Sequence, residues 1–122
     1  MKTDYPKVLS AGSLAKDKVK NLRGENLGDI VDLMIDLDTG RVAYAVLSFG
    51  GVMGLGSKLF AIPWKAMTLD TEDHAFLLDT PKETLERAPG FDKDNWPDMS
   101  DPKWGSDIHT HYGITPYWQN TL

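Results

Sequence analysis

Residues 22–49 read LRGENLGDIVDLMIDLDTGRVAYAVLSF. From Leu27 the residues alternate. Leu27, Val31, Leu33, Ile35 and Leu37 share one face, and Gly28, Ile30, Asp32, Met34, Asp36 and Asp38 share the other. A period of two with one fully apolar face predicts a strand. Asp38-Thr39-Gly40 follows as turn chemistry, with Gly40 free to take positive φ. Residues 41–49 predict a second strand. Its two faces, Ala43, Ala45, Leu47, Phe49 and Val42, Tyr44, Val46, Ser48, are both mostly apolar, so it is expected to be covered on both sides. Upstream, residues 19–22 are placed to pair with this unit through the Arg23-Gly24-Glu25 turn. The expected interior is Leu27, Val31, Leu33, Ile35, Ala45 and Leu47.

Downstream, residues 58–64 are short, aromatic and β-rich, and Pro63 restricts them to an edge or a bend. Residues 67–69 and 75–78 flank a polar turn. About six short strands with tight turns predict a small, mainly β, antiparallel barrel. Thr80 as N-cap, Pro81 at the first position and Glu83 reaching back predict a brief helix. Composition shifts at Ala88, which divides the chain into residues 1–88, the barrel, and residues 89–122, a C-terminal extension. The extension holds three of the four tryptophans, so it is expected to dock on the barrel or on a partner through Phe91, Trp96, Trp104 and Trp118. Within it, Ser100-Asp101-Pro102 opens a second helix and Gly113 closes it. Trp104, Ile108 and Tyr112 fall at i, i+4 and i+8, one apolar stripe.

The 122 residues suit one compact unit with a real core. The absence of cysteine excludes disulfides, thiolate metal sites and cysteine nucleophiles. Net charge is −5, the wrong sign for a dedicated nucleic-acid binder. No run of 18 apolar residues is present, so no membrane insertion is expected, and the first residues have no apolar stretch of signal-peptide length. A cytoplasmic location is the expectation. Charge is uneven along the chain: residues 1–23 carry six basic and two acidic groups, and residues 25–38 carry five acidic and none basic.

The run GENLGDIVDLMIDLDTGRVAYAVLSFGG, followed by KLFAIPWKAMTLD, resembles the PRC-barrel family over roughly residues 8–88. The Gly28-Asp29-Ile30 strand start, the Asp38-Thr39-Gly40 turn, the Tyr44-Ala45-Val46 strand and the Phe60-Ala61-Ile62-Pro63-Trp64 strand fall in order. That family includes the cytoplasmic domain of the photosynthetic reaction-centre H subunit and the C-terminal domain of the ribosome maturation factor. These residues contain no counterpart of the H subunit's membrane helix or of the maturation factor's N-terminal domain, so neither specific role is expected to carry over. The resemblance implies a six-stranded barrel used as a docking module, often self-associating, with no catalytic residues.

Chemistry-bearing patterns are sparse. Residues 49–64 read FGGVMGLGSKLFAIPW. A phosphate loop needs Lys then Ser or Thr, and a helix whose amides face the phosphate. Here the order is Ser57-Lys58 and a strand follows, so the glycines are read as a strand connection. Asp107, His109 and His111 are the candidate metal cluster, but residues two apart diverge on a helix. Asp36-x-Asp38-x-Gly40 lacks the remaining ligands of a calcium loop. No nucleophile elbow occurs, and His74 sits in a polar turn. No cofactor and no catalytic residue are expected. The expected function is a docking or assembly module that pairs with itself, as a homodimer, and with an unidentified protein. The alternative is a small-ligand or metal-binding protein using the glycine-rich loop or the Asp107/His109/His111 cluster. The candidate interaction surface is Val52, Met53, Leu55, Trp96, Trp104 and Trp118.

Overall fold

The computed structural model describes residues 10–14, 17–49, 58–70 and 75–119. Among them, six strands form one sheet: β1 (Lys18–Lys20), β2 (Asn26–Asp36), β3 (Arg41–Phe49), β4 (Lys58–Pro63), β5 (Met67–Asp70) and β6 (Ala75–Leu78). Their order across the sheet is β4-β3-β2-β1-β6-β5. Helix α1 (Ala11–Leu14) precedes β1, and α2 (Lys82–Glu86) and α3 (Pro102–Tyr112) follow β6. The hairpins anticipated around residues 23–25 and 38–40 are present, and Gly40 takes φ 75° in the β2–β3 turn.

The sheet is mixed, which corrects the expectation of a purely antiparallel barrel. β1 and β6 run parallel, with Val19 opposite Phe76, while the other pairs are antiparallel. The cause lies between β4 and β5. These two strands occupy opposite edges of the sheet and run in the same sense, yet only Trp64–Ala66, one 3-10 turn, joins them. Such a turn advances about 2 Å per residue. Here the turn does not reverse the chain into a β4–β5 hairpin, and a connection that short can link the two edges only if the sheet curls. The result is a curled half-barrel.

The curl encloses the main core. Val19, Leu27, Ile30, Ala45, Leu47, Phe60, Ile62, Phe76 and Leu78 are buried there, and Leu85 of α2 joins them. Each such side chain contributes about 2 kcal/mol by leaving water. A second cluster lies on the other face of β3 and β4, where Ala43, Tyr44 and Ala61 meet Ile108 of α3. β3 is therefore covered on both sides, as its two apolar faces require. α3 starts and stops as its sequence predicts: Asp101 caps Lys103 N at 3.0 Å, Pro102 is the first residue, and Gly113 closes the helix at φ 68°. Trp104 and Tyr112 pack beside Ile108 on the second cluster. Helix α2 departs from its expected start. Pro81 holds the N-cap position with no side-chain bond, and the Thr80 amide turns back to the Leu78 carbonyl.

The face assignment of β2 also needs correction. Leu27, Ala45 and Leu47 are buried and Leu33 is half-buried against the core, but Val31 and Ile35 are each 47% exposed. Ile30, which strict alternation puts outside, is buried. Two irregularities shift the phase. Against β1 the register passes from Asn26 to Gly28 and skips Leu27. Against β3, Ile30 faces Leu47 and Asp32 faces Val46, leaving Val31 as the extra residue of a bulge. Gly28 makes the first shift possible. Its φ is 142°, and a Cβ there would stand 2.0 Å from the Ser48 carbonyl oxygen.

Candidate functional site

Two places in this fold offer surface or space for recognition. The first is the far half of β2. β1 ends at Lys20 and pairs with residues 26–29 of β2, so from Val31 to Asp36 the paired strand neighbour of β2 among the described residues is β3 alone. The Leu33 amide is taken by the side chain of Asp32 at 2.8 Å. Val31 and Ile35 are exposed on this half, and Leu37 beyond it is 91% exposed. By contrast, the outer edge of β4 is partly closed, because Leu59 and Phe91 exchange two backbone hydrogen bonds of 2.9 Å.

The second place lies where the start of β3, the end of β4 and the chain after α3 meet. A cavity of about 270 Å³ is lined by Val42, Pro63, Trp64, Ile114 and Tyr117, with Arg41, Lys65 and His109 as its charged or titratable groups. His109 is held among rings, 5.5 Å from Tyr44, 5.7 Å from Tyr117 and 5.4 Å from Trp118, centroid to centroid. Its Nδ1 lies 2.7 Å from the Gly105 carbonyl oxygen. A carbonyl only accepts, so Nδ1 carries the hydrogen. Burial lowers the imidazole pKa, against a smaller opposite effect of the Gly105 bond, which keeps the ring neutral. Gly105 permits this packing, since a Cβ there would meet Trp118 ring atoms at 2.8 Å and the Tyr44 hydroxyl at 3.0 Å. Burial raises the Tyr44 and Tyr112 phenols, whose hydroxyls have no partner among the described residues. The Tyr117 phenol is raised by burial and by the charges of Asp36 and Asp38.

The residues singled out from the sequence separate into several settings. Trp104 packs edge-on against Tyr44 at 5.3 Å, while Trp96 lies beside Phe91 and donates Nε1 to the Lys93 carbonyl at 2.8 Å. Trp118 stands edge-on to His109 and remains partly exposed, as does Trp96. Val52, Met53, Leu55 and His74 lie outside the described residues. Asp107, His109 and His111 do not converge: Asp107 is exposed beside Lys103 at 3.7 Å, His109 is buried, and His111 meets Tyr112 edge-on. Among the described residues no group of three or more His, Asp or Glu side chains is placed to hold a metal ion. No described helix is long and apolar enough to cross a membrane.

A family model for the PRC-barrel domain matches residues 6–85, a stretch that contains all six strands and most of α2. The chain belongs to the PRC-barrel family. No curated protein matches it. The PRC-barrel match ends within α2, so α3 and the aromatic residues that pack on the outside of β3 and β4 lie beyond it. The open half of β2 belongs to the PRC barrel itself. The cavity is composite: its β3 and β4 walls are barrel, and His109, Ile114 and Tyr117 come from the extension.

Two features were missed in the sequence. Asn21 is buried and its side chain accepts the Arg23 and Glu25 amides at 3.0 Å while donating to Glu25 Oε1 at 2.7 Å. An asparagine three residues before a glycine is a recognisable turn signal. The burial of His109 had no comparable signal, because it depends on α3 meeting β3.

Proposed function

We propose that this PRC-barrel protein is a non-catalytic, cytoplasmic docking module that pairs with a second copy of itself and presents the paired barrel to another protein. The observation that carries this reading is the far half of β2, a strand with one paired edge among the described residues that exposes Val31, Ile35 and Leu37. An unpaired edge is a template for another strand, and exposed apolar side chains beside it add burial to the backbone bonds. Family membership supports a role in protein interaction.

A second copy fits the sequence of the edge. Two β2 strands paired antiparallel about a two-fold axis at Leu33 place Val31 opposite Ile35 and Asp32 opposite Met34. No aspartate then faces another directly, so the apolar pairs gain without like charges in register. The four aspartates at 29, 32, 36 and 38 still lie close across the axis, so added salt strengthens the dimer. The apolar residues Val52, Met53 and Leu55 form the other candidate surface for self-association.

Light scattering against concentration tests the reading. The wild type gives the mass of two chains at high micromolar concentration. Ile35→Lys reduces it to one chain with the β circular dichroism intact, whereas Met53→Asp leaves it at two if β2 is the contact. Loss of the dimer only in Met53→Asp moves the contact to the glycine-rich stretch. A wild type of one-chain mass at every concentration ends the self-association reading.

A further inference from the structure

The cavity beside His109 has the features of a ligand site that docking leaves unused, and none of Val31, Ile35 or Leu37 lines it. His109 is 1% exposed, and with Nδ1 committed to Gly105 its Nε2 is a bare acceptor with no protein partner among the described residues. An acceptor at a cavity wall is satisfied by a donor from whatever fills the cavity, and a ligand hydroxyl can supply it in place of water. Arg41 and Lys65 line the same cavity, both side chains are exposed, and neither makes an ion pair among the described residues. Asp36 and Asp38 line the neighbouring cavity past Tyr117, which Arg41 also lines, and neither aspartate lines this one. In a chain of net charge −5, two unpaired cations at one apolar cavity mark where an anion is accepted. The volume is at the small end of ligand pockets, and Trp64, Tyr117 and Pro63 give it flat, apolar walls.

We propose that this cavity binds a small aromatic carboxylate that also carries a hydroxyl group. The ring lies between Trp64 and Tyr117, the carboxylate meets Arg41 and Lys65, and the hydroxyl donates to His109 Nε2. Amphipathic anions with one ring fit, and larger ligands such as nucleotides do not.

The test uses the full chain and three probes: 4-hydroxybenzoate, benzoate and phenol. Titration calorimetry, with tryptophan fluorescence as a second readout, follows each. The expected result is one site per chain for 4-hydroxybenzoate with a dissociation constant below about 1 mM. Benzoate, which lacks the donor, and phenol, which lacks the anion, each bind about tenfold more weakly. The double variant Arg41→Ser/Lys65→Ser, at two exposed positions, retains its fold and binds 4-hydroxybenzoate no better than phenol. His109→Phe removes the acceptor and makes 4-hydroxybenzoate and benzoate equal. If His109→Phe does not fold, the Arg41/Lys65 variant alone decides. Equal binding of all three probes, no binding of 4-hydroxybenzoate at 5-fold or higher excess over about 1 mM, or binding indifferent to the Arg41/Lys65 change overturns the proposal.

Discussion

β2 is two strands in one. Its first half, residues 26–30, pairs with β1 at residues 26–29 and with β3 from Asp29 onward, and Leu27 and Ile30 are buried. Its second half, residues 31–36, has β3 alone among the described residues, and Val31 and Ile35 stand half in solvent. The amino-acid composition of the halves does not explain this, since both alternate apolar residues with aspartate. The length of the neighbour explains it. β1 has three residues, so it covers one half of an eleven-residue strand. Burial is a property of the pair, not of the strand.

Substitutions at β2 test that contrast, and the largest effect belongs to the first half. Gly28→Ala forces a side chain into a φ of 142° and against the Ser48 carbonyl oxygen. Strain and overpacking together cost about 4 kcal/mol. Denaturant melts at low micromolar concentration measure it; a loss no larger than a typical surface change means that the β2–β3 approach is looser than described.

A graded series follows in the same melts. Ile30→Ala costs about 3 kcal/mol, as for a buried side chain truncated in a packed core. Leu33→Ala, half-buried against that core, costs about 1.5 kcal/mol, less than a fully buried leucine. Val31→Ala costs about 0.5 kcal/mol, the level of a surface site. If Val31 and Ile30 exchange places in this order, the bulge at Val31 is wrong and strict alternation holds.

Much of this was legible in the sequence, for identifiable reasons. The strands, the Gly40 turn and the caps of α3 depend on local chemistry, and they stand where the residues put them. The stripe of Trp104, Ile108 and Tyr112 meets a folded surface because a helix repeats its face regularly. A bulge has no such regularity. It moves one residue out of register, and the two-residue repeat before and after it gives no sign, so Val31 and Ile35 were assigned inside and Ile30 outside. The parallel β1–β6 pair was hidden because neighbours along the chain do not disclose neighbours across the sheet. The cavity was equally hidden, since Arg41, Lys65 and His109 are far apart in sequence and meet only through β3, β4 and α3.

Hydrogen exchange along β2, followed as protein concentration rises, bears most directly on the proposed pairing. Amides bonded to β1 or β3 are protected within one chain, whatever the concentration. The Leu33 amide is held by Asp32 Oδ1, and the other amides of residues 31–36 that face away from β3 gain protection from a partner strand. Their exchange slows as concentration rises into the high micromolar range, while residues 27–30 keep one rate throughout. Exchange in residues 31–36 that is fast and the same at every concentration contradicts docking at this edge.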